Sequence, residues 1–239
     1  MKPISELWVY LAAEPLLWLT ATLIAYVIAD RISAFFNRAP LANPVLIAVG
    51  IVLILLKLTG TAYPVYFTGA QFVHFLLGPA TVALALPLYT HRKIVMRALI
   101  PIAGALLAGS ITAMVSAVGI AKLLGVSGAS LIALAPKSVT AAIAMGIARE
   151  LGGDPSLTAT LVIATGIIGA VLLTPLMKSI GVTDPRAIGF AAGTASHGIG
   201  TARAFQLGSL EGAFAGIALG LSGLLTAVLV PLLVRILQF

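Results

Sequence analysis

Cysteine is absent from the 239 residues, which excludes a disulfide framework and a thiolate metal site and leaves the redox compartment unreadable. Charge is almost as scarce. Asp, Glu, Lys and Arg together make up 9% of the chain, against roughly 25% in soluble domains. With 60% hydrophobic residues and a mean hydropathy of +1.14, the chain reads as a polytopic membrane protein embedded in the lipid bilayer. Acidic residues are rarer than basic ones, for a formal net charge of +7. The basic residues are scattered at the ends of apolar segments, so they read as topology signals and anion attraction, not as a nucleic-acid footprint. Catalytic motifs are missing too: there is no His/Asp/Glu cluster with metal spacing, no GxSxG and no Walker-type phosphate loop. Ser196 and His197 are adjacent and so badly placed to act as nucleophile and base on each other. The chain is expected to be no enzyme and to hold no cofactor or metal.

What remains is a series of apolar segments of about 20 residues, the length needed to cross a bilayer. The first runs over 7–29, with Glu14-Pro15 inside it and Asp30-Arg31 at its exit. Met1 to Glu6 lacks a signal-peptide cleavage pattern, so this segment reads as retained. Asn43-Pro44 supplies an N-cap and a first-turn proline for a short second span ending near Leu58. Tyr63 to Tyr89 is interrupted by Leu77-Gly78-Pro79, Ala98 to Ile120 is uncharged, and 131–148 is interrupted by Pro136-Lys137-Ser138-Val139-Thr140. Asp154-Pro155 caps the span 157–177. Thr183-Asp184-Pro185 opens a segment ending near Gly208, and the last span covers 213–237, with Gly216 and Gly220 spaced for close helix packing.

The segment opened by Pro185 is the most unusual. Between Gly189 and Phe205 it carries Thr194, Ser196, His197, Thr201 and Arg203, which cannot face lipid. Its glycines at 193, 198 and 200 each cost about 1 kcal/mol inside a helix. The expectation is a helix that stops near Ala195, unwinds through Ser196-His197-Gly198 and restarts before Thr201. Broken helices of this kind form the sites of many transporters. Each of the three interruptions would start a helix at membrane depth, where free N–H groups and the dipole suit a carboxylate or phosphate. Lys137 and Arg203 add positive charge at a cost of at least ~2.5 kcal/mol each. The candidate substrate site is therefore Gly78, Pro79, Thr81, Lys137, Ser138, Thr140, Thr194, Ser196, His197, Gly198, Thr201 and Arg203, and the substrate a small organic anion. His197 and Glu14 are candidates for carrying a coupled proton.

Plainer roles stand beside these. Lys137 and Arg203 could snorkel to an interface, and each hydroxyl could bond a carbonyl of its own helix. His197 could be structural, and Glu14 could simply mark a helix start.

The fold expected is an all-α helical bundle with an inverted repeat, residues 43–121 and 154–237. Pro64 corresponds to Pro185 and Thr81 to Thr201, and the first helix and 131–148 fall outside the copies. If 131–148 crosses fully, the basic residues divide six against six between the two sides; if it is re-entrant they divide eight against four. The positive-inside rule favours the second arrangement, with seven crossings and an outside N-terminus.

Three runs, Leu77 to Tyr89, Ala135 to Thr140 and Gly193 to Arg203, resemble the LrgB/CidB family. A related domain forms the C-terminal half of the plastidic glycolate/glycerate translocator. Two departures stand out: Thr140-Ala141-Ala142 where the family pattern often has Thr-Thr-Pro, and Phe205-Gln206 where it often has an acidic residue. The resemblance implies transport of hydroxy- or keto-monocarboxylates such as glycolate, glycerate or pyruvate, in the inner (cytoplasmic) membrane, with an LrgA/CidA-type membrane partner. With the repeat, it implies an elevator-like transport domain; a homodimer is a further expectation. The alternative it implies is an antiholin-like regulator of murein hydrolase activity and cell lysis. Polar breaks with Lys and Arg at depth favour transport, because a regulatory pore protein has no need of them.

Overall fold

The computed structural model describes residues 14–76, 79, 82–83 and 85–237, and every long element among them is a helix. The helices are α1 (Pro15–Phe35), α2 (Pro44–Thr59), α3 (Tyr63–Phe75), α4 (Ala85–Thr90), α5 (Arg92–Arg97), α6 (Leu99–Leu123), α7 (Ala129–Leu134), α8 (Ala141–Glu150), α9 (Pro155–Ser179), α10 (Pro185–Leu207) and α11 (Ser209–Leu237). Four of them, α1, α6, α9 and α11, are long and apolar enough to cross a membrane. The chain divides into two compact units, Met1–Ala83 and Leu84–Phe239.

Proline sets several helix starts. Asn43 caps α2 by accepting from the N–H groups of Val45 and Leu46, and Asp154 caps α9 by accepting from those of Ser156 and Leu157. Asp184 caps α10 by accepting from the Arg186 N–H. In all three the next residue is a proline whose missing N–H would be unbonded there anyway. These are the starts expected from the sequence. The side chain of Arg186 folds back onto the same carboxylate, with Nη2 2.6 Å from Oδ2. That hydrogen bond is the main cause holding the Asp184 carboxyl below the ordinary carboxylate range.

In the N-terminal unit, α1 packs against α2 and α3. Trp18 is buried and meets the Tyr66 ring edge-on at 5.9 Å, while Thr22 Oγ1 donates to Tyr66 Oη at 3.1 Å. A Cβ on Gly69 would lie 2.1 Å from the Pro15 carbonyl oxygen, so only glycine allows α3 this close to α1. The first helix is placed differently from the expectation. It starts at Pro15, with Glu14 as its exposed N-cap residue, and the segment before Glu14 is outside the described residues. It also continues past Ala29 through Asp30 and Arg31 to Phe35, because Asp30 is paired with Arg38 from the following turn and its charge does not force an exit.

In the C-terminal unit, α10 and α11 form the closest pair. A Cβ at Gly189 or Gly193 would lie 2.1 Å from the carbonyl oxygen of Glu211 or Ala215 respectively, so these glycines, four apart, bring two backbones into contact. The close packing expected at Gly220 is thus corrected: Gly220 is exposed and a Cβ there would meet nothing within 4 Å, while Gly216, the other glycine of that expectation, is half-buried. Toward α10, α11 instead presents its backbone at Glu211 and Ala215, one turn apart. One apolar core joins α6 to α10 and α11 through Ile102, Phe190 and Phe214. Another joins the far end of α6 to α7 and α11 through Val118, Leu131 and Val230.

Replacing Gly193 by Ala should lower the unfolding free energy by about 1–3 kcal/mol, whereas Gly220→Ala, at an open helical position, should leave it unchanged or raise it by up to ~1 kcal/mol. Unfolding of the detergent-solubilised protein by SDS titration reads both. Equal midpoints for the two variants would contradict the packing of α10 on α11.

Candidate functional site

Two of the three polar interruptions lie within the described residues. Between α7 and α8 the chain turns through residues 135–140, with Ala135, Pro136 and Val139 buried. Proline cannot donate to the preceding turn. Thr140, in extended geometry, becomes the N-cap residue of α8. The helices on either side are 6 and 10 residues long, about 9 and 15 Å, and neither alone spans a bilayer core.

The second interruption lies inside α10, where Ser196 (φ −133°, ψ 19°) and His197 (φ 40°, ψ −134°) leave helical geometry. The break falls where the sequence places it, but the residue that bends is unexpected. His197 adopts the positive φ, a conformation costing ~1–3 kcal/mol outside glycine, while Gly198 has no left-handed φ and its Cβ position is open. The surroundings hold His197 there. Its Nε2 lies 2.9 Å from the Val162 carbonyl oxygen of α9; a carbonyl only accepts, so Nε2 carries the proton. Thr201 Oγ1 donates to the His197 carbonyl oxygen at 2.8 Å, one turn back on the same helix.

Glycines make the room. A Cβ on Gly166 would lie 2.7 Å from the His197 ring, and one on Gly169 would lie 1.7 Å from Ser196 Oγ. On α10 itself, a Cβ on Gly200 would lie 2.4 Å from the Ala192 carbonyl oxygen, so this glycine lets the helix restart tightly against its own first half. Gly166 and Gly169 had no signal in the sequence beyond being glycines in an apolar helix.

Thr194, Ser196, His197, Thr201 and Arg203 are all buried. They point to different neighbours. Arg203 faces α9 and its own last turn: Nη2 donates to Thr174 Oγ1 at 3.3 Å and Nη1 to Gln206 Oε1 at 3.1 Å. Lys137 is half-buried, with Nζ 3.4 Å from Ser138 Oγ. Thr201 bonds its own helix, the plainer of its two roles. Pro79 is exposed and belongs to the N-terminal unit, while Gly78 and Thr81 lie outside the described residues.

The pair that meets is Ser138 and Thr194. They line a small cavity of about 10 Å³ together with Ser110 of α6 and Ser222 and Thr226 of α11. Five hydroxyl-bearing residues from four segments thus line one small space, and of these Ser222 already donates its hydroxyl to the Ala218 carbonyl oxygen at 2.6 Å. Ser110, Ser222 and Thr226 were missed in the sequence because each is an isolated hydroxyl in an ordinary apolar span; only the i, i+4 spacing of Ser222 and Thr226 hinted at a shared face. Thr194 and Ala113 also border a second, larger cavity of about 500 Å³ between α6 and α10. Its walls are apolar at Pro101, Ile102 and Phe190, and Arg97 and Arg186 stand at its outer end.

Comparison with known proteins gives a consistent assignment. The model of the LrgB-like family matches residues 22–236. A holin-like protein CidB of Staphylococcus epidermidis is 34% identical over 221 residues, 92% of this chain and 96% of that protein. An antiholin-like protein LrgB of Bacillus mycoides is 32% identical over 218 residues, 91% of this chain and 95% of that protein. No solved structure matches.

Gly169→Ala should cost about 1–3 kcal/mol of stability by driving a methyl into Ser196. Gly198→Ala, at an open helical position, should be neutral or gain up to ~1 kcal/mol. Thermal unfolding in detergent compares them. A larger loss at 198 than at 169 would mean that Gly198, not His197, takes the strained backbone.

Proposed function

The chain belongs to the LrgB-like family, and on that premise we propose that it acts as a holin-like or antiholin-like membrane component that modulates murein hydrolase activity and cell lysis. The observation carrying this reading is the pair of relatives so named, each matched over more than nine-tenths of both chains. The setting proposed is the cytoplasmic membrane, alongside an LrgA/CidA-type partner protein. Deleting the gene and restoring it should shift the rate of detergent-induced autolysis and the murein hydrolase activity of the culture supernatant in opposite directions. Indistinguishable lysis curves in deletion and restored strains would remove this reading.

A second reading is favoured by one structural observation: a broken, strained α10 buried among polar side chains, next to an interrupted α7–α8 segment. Such breaks cost stability and have no use in a passive wall of helices. They suit alternating access of a small hydroxy- or keto-monocarboxylate, such as glycolate, glycerate or pyruvate, to a site near mid-membrane. Arg203 is the charged group of this proposal, and His197 a proton-coupling group once its bond to Val162 opens. The inverted repeat, the elevator-like motion and a homodimer belong to this reading as well. Proteoliposomes containing the chain, with and without its partner protein, should accumulate labelled pyruvate or glycolate, and Arg203→Ala should reduce uptake at least tenfold, a factor set by loss of a charge-assisted hydrogen bond of ~1.5–3 kcal/mol. Absence of flux in every combination would leave only the lysis reading.

A further inference from the structure

The hydroxyls of Ser110 and Thr194 are buried, each residue at 6% relative exposure, and among the described residues neither oxygen has a hydrogen-bond partner. An unmade hydrogen bond in an apolar interior is destabilising. Two at one point, with three further hydroxyls around them, indicate a place built to receive a polar group. At about 10 Å³, the cavity has room for roughly one water-sized atom. A whole organic ion does not fit there. One oxygen of such an ion does, provided the rest of the molecule has somewhere to go.

The adjoining 500 Å³ cavity supplies that place, since both spaces are bordered by Thr194 and Ala113. The geometry ties the two together. Helices α6 and α10 run side by side in the same direction: Ile102 and Phe190 share one apolar core, and farther along the Gly109 Cβ position is 3.2 Å from Thr194 Cγ2, while the exposed Arg97 and Arg186, which precede these pairs in the chain, line the same cleft. Arg186 and Thr194 are eight residues apart, so the passage is about 12 Å long. Its charged end carries two arginines and one carboxylate, Asp184, which is already bound to Arg186. The other end has hydroxyl donors, with the basic side chain of Lys137 reaching Ser138. This charge pattern disfavours a cation and draws an anion. The walls between are apolar and offer nothing to a ligand covered in hydroxyls.

We propose that α6, α10 and α11 form a binding site for monocarboxylates with an apolar body, in which one carboxylate oxygen accepts from Ser110 and Thr194 and the body lies in the cleft lined by Pro101, Ile102 and Phe190. Arg97 and Arg186 attract the anion at the mouth and do not hold it. The inference rests on the transport reading only for the premise that a solute enters the bundle; it places the carboxylate on Ser110 and Thr194 and not on Arg203, which lines neither cavity, and it narrows the ligand class: carboxylates with short alkyl or keto-alkyl bodies are preferred over glycolate and glycerate.

Binding is measured without flux, by calorimetric titration of the full chain in lipid nanodiscs with butyrate, pyruvate, glycolate and methyl butyrate. Butyrate should bind at least tenfold more tightly than glycolate, and the neutral ester should not bind. Thr194→Val and Ser110→Ala remove the hydroxyls and should each weaken butyrate binding about tenfold or more. Their unliganded unfolding midpoints should be unchanged or raised, since an unsatisfied polar atom has been removed, which separates loss of the site from misfolding. Equal butyrate affinity in wild type and Thr194→Val, tighter binding of glycolate than butyrate, or no carboxylate binding by folded protein would each overturn the site. Butyrate binding without uptake in proteoliposomes would leave the site in place and remove transport.

Discussion

A polar backbone at membrane depth has no water to turn to, and the arrangement of the C-terminal unit follows from that constraint. Once α10 departs from helical geometry at Ser196 and His197, freed peptide groups have to find partners inside the protein. The Thr201 hydroxyl takes the His197 carbonyl oxygen, and the His197 ring takes the carbonyl oxygen of Val162 on the neighbouring helix. The second of these bonds ties α9 to α10 at the level of the break. The glycines of α9 then become necessary, because any side chain at 166 or 169 would occupy the space of the imidazole or of Ser196.

The same economy explains why α11 lies so close to the first half of α10. A strained residue persists only where its surroundings over-determine it, and the backbone contact at Gly189 and Gly193 removes the freedom by which the break could relax. Rigid packing on one side contrasts with open space on the other. Toward α6, the first half of α10 leaves a cleft that reaches inward to Thr194. The break is therefore clamped by α9 and α11, and the cleft on the α6 side reaches Thr194 and Ala195 just before it.

The family assignment and the geometry speak to different levels of function. Membership rests on a match over residues 22–236 and on relatives named holin-like and antiholin-like. The buried break, the hydroxyl cluster and the apolar cleft concern what this chain's interior can hold.

The sequence alone determined the class, several helix starts and the positions of the two breaks that lie within the described residues. Low charge and long apolar runs leave no other class open, and proline after Asn43, Asp154 and Asp184 marks helix starts by chemistry local to three or four residues. Glycine and polar residues between 193 and 203 likewise announce an interruption, since both oppose a lipid-facing helix. The first helix was harder to delimit, because the long-range pairing of Asp30 with Arg38 lets it run through charges that otherwise signal an exit. Only the tertiary structure decided which residue carries the strain, which glycines are needed and which hydroxyls meet. His197 takes the left-handed backbone because α9 offers it a carbonyl, not because of anything at 198. Ser110, Ser222 and Thr226 join Thr194 and Ser138 because three helices and a turn cross at one point, and a single hydroxyl on an apolar helix says nothing about its neighbours until the other helices are in place.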